Sequence, residues 1–190
     1  MTTTRLEAFS DAVIAIIITI MVLEFEVPEG DEWRSLRSVL PMFLAYVLSF
    51  VYLGIYWNNH HHLLHLTERV NGRVLWANLH LLFWLSLVPF VTHWMEDSGF
   101  ASVPVAVYGG VLLLAAVAWL ILERAILAQE GKTSKLAAAL ESRTKEKLST
   151  ALYVAALPLA FVQPWASIAG YAVVAVMWLV PDRRIESRVG

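Results

Sequence analysis

An arginine, a serine and an aspartate head an otherwise apolar segment: Arg5-x-x-x-Phe9-Ser10-Asp11 runs straight into AVIAIIITIMVL. A charge at membrane depth costs about 2.5–3.5 kcal/mol on insertion scales, so such a residue faces protein or water rather than acyl chains. Arg5 and Asp11 are six residues apart, about 120° around a helix, and pair poorly with each other. Each has to find partners on other helices. Beyond them Ile16, Ile20 and Leu23 follow at spacings of four and three, with Thr19 on the same face. A polar head above an apolar row suits a helix that lines a route. The spacing alone fits a helix–helix core equally well.

Two further polar clusters stand near apolar runs. One is Tyr56-Trp57-Asn58-Asn59-His60-His61-His62 with His65; the other is Asn78, His80 and Ser86, followed by Pro89-Phe90 and His93. Asp, Arg, His, Asn and Trp meeting at one membrane level can satisfy one another's hydrogen bonds inside a helix bundle. His61 and His65 have the four-residue spacing that zinc or haem ligands use, but no carboxylate or thiol stands beside them at ligand spacing. No metal and no cofactor is expected. No nucleophile–base pair appears either, so an enzyme is not expected.

The elements that must position these groups are membrane helices. The 190 residues are 58% hydrophobic and only 16% charged, against roughly 45–50% apolar and a quarter charged for soluble domains. A net charge of −2 and the lack of any nucleic-acid motif exclude a basic nucleic-acid binder. With no cysteine, disulfide, thiol-redox and thiolate-metal chemistry are excluded. Glu7 and Asp11 sit where a signal peptide needs positive charge, so the first apolar run is taken as a span.

Six apolar segments are expected, at 6–25, 39–57, 74–95, 104–122, 149–163 and 166–180. The first four match the roughly 20 residues that cross a bilayer. The last two are short and carry Pro158 and Pro164, so they are thin spans or one tight hairpin. With six spans and a cytoplasmic N-terminus, twelve of the 14 Lys and Arg residues fall on the cytoplasmic side and only Arg34 and Arg37 outside. That asymmetry places both termini in the cytoplasm of a plasma-membrane protein. Thr4-x-x-Glu7 reads as a capping box that starts the first helix at Arg5. Residues 123–148 read as a cytoplasmic linker within one 1–190 channel domain, with a helix over SKLAAALESRTKEKL. The fold class is all-α, polytopic, six transmembrane helices per chain.

These motifs resemble the bacterial relatives of the endolysosomal potassium channel, the transmembrane protein 175 family. The resemblance rests on Arg5-x-x-x-Phe9-Ser10-Asp11 with Ala12-Val13-x-Ala15-Ile16-x-Ile18-Thr19. It extends to Tyr56-Trp57-x-Asn59-His60-His61 and to the stretch from Asn78 to Phe90. It implies a homotetramer whose pore is lined by helix 1 of each subunit, without a carbonyl filter; no TVGYG-like loop is present. Ile16, Ile20 and Leu23 match constricting apolar layers and Thr19 a position linked to selectivity. Ile20 departs from the leucine common at the second layer. Arg5, Phe9, Ser10, Asp11, Trp57, Asn59, His60, His61 and Asn78 match the motifs that tie helices 1 to 3 together.

A physical account stands beside the resemblance. One chain presents one apolar stripe, and several copies around an axis would enclose a narrow neck that gates by dewetting. Glu24, Glu26, Glu29, Asp31, Glu32, Glu96 and Asp97 make the outer side acidic, which concentrates cations. The expected partners are further copies of the chain, the bilayer and monovalent cations. The competing classes are a proton- or ion-coupled transporter, which would carry internal repeats and a midplane ionisable residue, and a non-conducting scaffold or haem protein.

Overall fold

The computed structural model describes residues 2–130 and 144–179, and every regular element among them is helical. The expected helix over 134–148 falls largely outside the described residues, as do Lys132, Lys135, Arg143 and the arginines beyond 180.

Helix α1 covers Thr3–Leu23, about 32 Å at 1.5 Å per residue and enough to cross the hydrocarbon core. The expected capping box is not formed. Thr2 is the cap residue and makes no side-chain cap bond, while the Glu7 carboxylate is taken by His61 of the next helix. A carboxylate held by a neighbouring helix cannot also reach back to its own first turn. A short 3₁₀ turn at Trp33–Ser35 leads into α2, Leu36–His65.

The third pass is two helices, α3 (Gly72–Ser86) and α4 (Val88–Asp97). Asn71 caps the first by accepting from the Val74 N–H at 3.0 Å. Pro89 causes the break. It has no N–H to donate and its ring crowds the preceding turn, so the chain tightens at Leu87, whose N–H goes to the Trp84 carbonyl. A Gly99 φ of +63° then turns the chain into α5, Ser102–Glu130. The expected linker therefore begins later than residue 123, because α5 runs on to Glu130. Helices α6 (Thr144–Leu159) and α7 (Pro164–Leu179) form a short hairpin. The Ser167 hydroxyl donates to the Ala156 carbonyl at 2.7 Å across it. Four passes are long and apolar enough to span a membrane: 3–23, 33–65, 72–97 and 102–130.

Helix α5 is the hub, packing against α3, α4, α6 and α7. Small residues at Gly109, Ala115 and Ala118 let neighbours approach its backbone. At Gly109 a methyl would run into the Tyr171 ring and hydroxyl, whereas at Gly110 it would meet open space. Gly109→Ala should therefore cost about 1–3 kcal/mol through overpacking, and Gly110→Ala should be tolerated. Thermal unfolding of the two variants in one detergent checks the contrast.

Candidate functional site: the helix 1 face and its polar anchor

Helix α1 has two unlike faces. Leu6, Ser10, Ile14, Ile17 and Met21 are buried against α2, α3 and α4. Ile16, Thr19, Ile20 and Leu23 lie on the other face and are exposed, Ile16 at 57% and Leu23 at 81%. The helix–helix core reading of this row is thus excluded within one chain. Thr19 is not a free hydroxyl, since its Oγ1 donates to the Ile16 carbonyl at 2.9 Å. Ile16 and Ile20 also edge a recess of about 470 Å³ between α1 and the α3–α4 break, with Ser86, Pro89 and Phe90 opposite.

The N-terminal end of α1 is fastened by directed hydrogen bonds. The Asn78 amide donates to Ser10 Oγ at 2.9 Å, and Ser10 Oγ in turn donates to the Leu6 carbonyl at 2.9 Å. With its NH₂ committed to Ser10, Asn78 presents Oδ1 to His60 Nε2 at 2.7 Å. An amide oxygen only accepts, so the proton sits on His60 Nε2. The chain of donation therefore runs one way, His60 to Asn78 to Ser10 to the α1 backbone. Ser10 and Asn78 are fully buried and His60 is 1% exposed. Closer to the surface, Trp57 Nε1 donates to Asp11 Oδ1 at 3.0 Å, and His61 Nδ1 lies 2.6 Å from Glu7 Oε1.

The structure thus brings Ser10, Asp11, Trp57, His60, His61 and Asn78 together. It leaves three expected members apart. Asn59 donates to the Ile55 carbonyl of its own helix at 2.9 Å. Phe9 is exposed at 49%. Arg5 lies on the exposed side of α1 and makes no side-chain bond among the described residues. His61 and His65 stack on each other, and among the described residues no three His, Asp or Glu side chains cluster as metal ligands would.

Sequence reasoning missed three groups. Glu7 serves α2 rather than its own helix end. Glu123, taken as part of a linker, is 2% exposed and accepts from Trp119 Nε1 at 2.6 Å; the four-residue spacing to Trp119 was the available signal. Finally, Ser49 links Thr92 at 2.7 Å and Tyr108 at 3.0 Å, fastening α2 to α4 and α5.

Comparison with known proteins places this geometry. Residues 5–89, which hold α1 from Arg5 onward, all of α2 and α3, and the helix break, match the family described as "Endosomal/lysosomal potassium channel TMEM175". A potassium channel of Chryseobacterium sp. (strain P1-3) is 56% identical over 98% of this chain and 97% of its own length. The chain belongs to the TMEM175 family. A potassium channel of Chamaesiphon minutus is 32% identical, with 92% of each chain covered. The crystal structure of a lysosomal potassium-selective TMEM175 homologue from Chamaesiphon minutus superposes with a TM-score of 0.78 at 29% identity, covering 94% of this chain and 96% of that one. TMEM175 proteins are membrane ion channels, not enzymes, and this all-helical chain is a membrane protein of that kind.

Proposed function

We propose that the protein is a potassium channel, passing K⁺ and less readily Na⁺ down their gradients through a conduit formed by α1 of four copies. One observation carries the reading: the anchored helix α1 turns an unpartnered apolar row, Ile16, Ile20 and Leu23, away from its own bundle. Four such rows around an axis enclose a neck narrow enough to dewet, and a small rotation of the helices restores water and ions. Thr19 stands between the apolar layers. The potassium-channel names of the bacterial relatives support the choice of ion.

At the far end of α1, Glu24, Glu26, Glu29, Asp31 and Glu32 are exposed and draw cations toward the mouth. The exposed pair of Arg34 with Glu32, at 2.6 Å, offsets only part of that charge. The reading places both termini on the cytoplasmic side of the plasma membrane, and the uneven distribution of Lys and Arg along the sequence supports that orientation. The four residues of the α3–α4 break, Ser86, Leu87, Val88 and Pro89, are not ionisable, and the recess beside them carries Glu24 and His93, 3.8 Å apart.

The test is direct. Protein reconstituted in liposomes and placed under an outward K⁺ gradient should give a protein-dependent K⁺ flux, with a smaller one for Na⁺. Native mass measurement of the solubilised complex should give four copies. Absence of any cation flux, or a monomer, overturns the reading.

A further inference from the structure

Helix α5 is longer than a span requires: its 29 residues rise about 43 Å, against roughly 30 Å of hydrocarbon. Its last two residues reach the turn between α2 and α3, residues 66–71. Glu130 Oε1 accepts the Glu68 N–H at 3.0 Å and the Arg69 N–H at 3.4 Å, and the Gln129 amide donates to the Arg69 carbonyl at 2.6 Å. Both N–H groups lie past the end of α2, and among the described residues no backbone carbonyl takes them. A carboxylate that collects them makes charge-assisted bonds, about twice as strong as neutral ones. Gln129 and Glu130 grip backbone alone, so they fix where the turn runs.

That turn joins the two helices of the polar anchor. His60 stands six residues before Leu66, and Asn78 seven after Asn71, with unbroken helix on either side. Stiff helices carry a displacement of the turn to both residues. The 2.7 Å bond from His60 Nε2 to Asn78 Oδ1 has about half an ångström of slack. A one-residue slip of α2 against α3 moves its ends by about 1.5 Å.

We propose that Gln129 and Glu130 are positioning residues for the α1 face: by holding the α2–α3 turn they keep His60 and Asn78 in the register through which Asn78 grips Ser10. They act on α1 only through that anchor. The consequence for ion flow rests on the channel reading, in which a small rotation of α1 restores water to the neck. A released turn loosens the grip on Ser10, frees α1 to rotate and raises leak.

Two readouts on the full-length protein test this. The first is exchange of the His60 Nε2 proton, followed by NMR in nanodiscs and independent of conduction. Glu130→Ala should speed it about fivefold and leave amide exchange at Tyr171, on the distant α7, unchanged. Glu130→Gln keeps an acceptor oxygen and should stay within about twofold of wild type. The second readout is K⁺ leak in liposomes. Glu130→Ala should raise it about threefold, and should add nothing in an Asn78→Leu background, because both act through one bond. Should Glu130→Ala not fold, Gln129→Ala carries the same tests with the same signs. Unchanged His60 exchange overturns the proposal. Exchange that quickens at Tyr171 to the same degree also overturns it, since the effect is then a general loss of stability. So does an unchanged leak in protein that conducts, or a leak that rises as much in the Asn78→Leu background. Wild-type protein that passes no ions defeats the channel reading and not this one, which His60 exchange then decides alone.

Discussion

Replacing Ile16 by alanine should raise cation leak through reconstituted protein about tenfold and blunt its preference for K⁺ over Na⁺, while leaving thermal stability nearly unchanged. The neck proposed above is closed by dewetting, and its barrier depends on the radius and greasiness of each ring. One substitution removes branched carbon from every copy at once. Because Ile16 is 57% exposed in the chain, its truncation opens no cavity in the bundle. The neighbouring Ile17 is the control. It is only 4% exposed and packs into the core, so Ile17→Ala should cost about 2–4 kcal/mol of stability through lost burial and a residual cavity, with no gain in leak. The two residues share a type and differ by one position, about 100° around the helix. Flux assays and melting curves on both variants therefore separate a route-lining residue from a packing one. Equal leak from wild type and Ile16→Ala would remove this residue from the neck.

Periodicity could mark Ile16, Thr19, Ile20 and Leu23 as one face, but it could not say whether a neighbouring helix covers them. Only the packed partners of Ser10, Ile14 and Ile17 decide that, because α1 can bury one side at a time. The polar cluster was legible as a cluster for a similar reason: Asp, His, Asn and Trp inside apolar runs need partners, and few were available. Which atoms pair depends on the register of α2 against α3, and no spacing rule contains that register. Glu7 was misjudged because one carboxylate can serve a cap or a histidine, and tertiary packing chose His61. Glu123 was misjudged because a charge just past an apolar window reads as solvated, whereas Trp119 one turn back supplies the hydrogen bond that lets it stay buried. The third pass was expected as one helix; the consequence of Pro89 became visible only where the ladder is interrupted. Arg5 shows the reverse error. The rule that a membrane charge needs a protein partner is weakest at a helix start, where a long side chain can extend its charged head to the interface, and Arg5 is exposed there.

Asn78→Leu should lower the unfolding free energy by about 1–3 kcal/mol, since hydrogen bonds between membrane helices average roughly 0.6 and reach about 1.7 kcal/mol each, and a buried donor left without a partner adds its own desolvation cost. Leucine keeps the branched skeleton, so no cavity is left, but its two methyl groups are bulkier than the amide's O and NH₂ and some overpacking adds to the deficit at this fully buried position. The deficit falls on His60, whose Nε2 proton faces Asn78 Oδ1 at 2.7 Å and is sealed from water. The His60 ring has no second bond to fall back on, because its Nδ1 is also buried without a partner among the described residues. Ser10→Ala should be milder. Ser10 Oγ donates only to the Leu6 carbonyl, which α1 already engages, so the loss is one acceptor for the Asn78 amide. The double variant should fall short of the sum of the singles by about 0.5 kcal/mol or more, as residues in one network do. Additive effects would mean that the contacts are independent, and that His60 is not linked to α1 through Asn78. The same variant also bears on the channel reading. If the donation chain holds the α1 face toward its axis, Asn78→Leu should change leak as well as melting temperature, whereas Ile17→Ala changes melting temperature alone. That difference distinguishes an anchor that orients the helix from contacts that only hold the fold together.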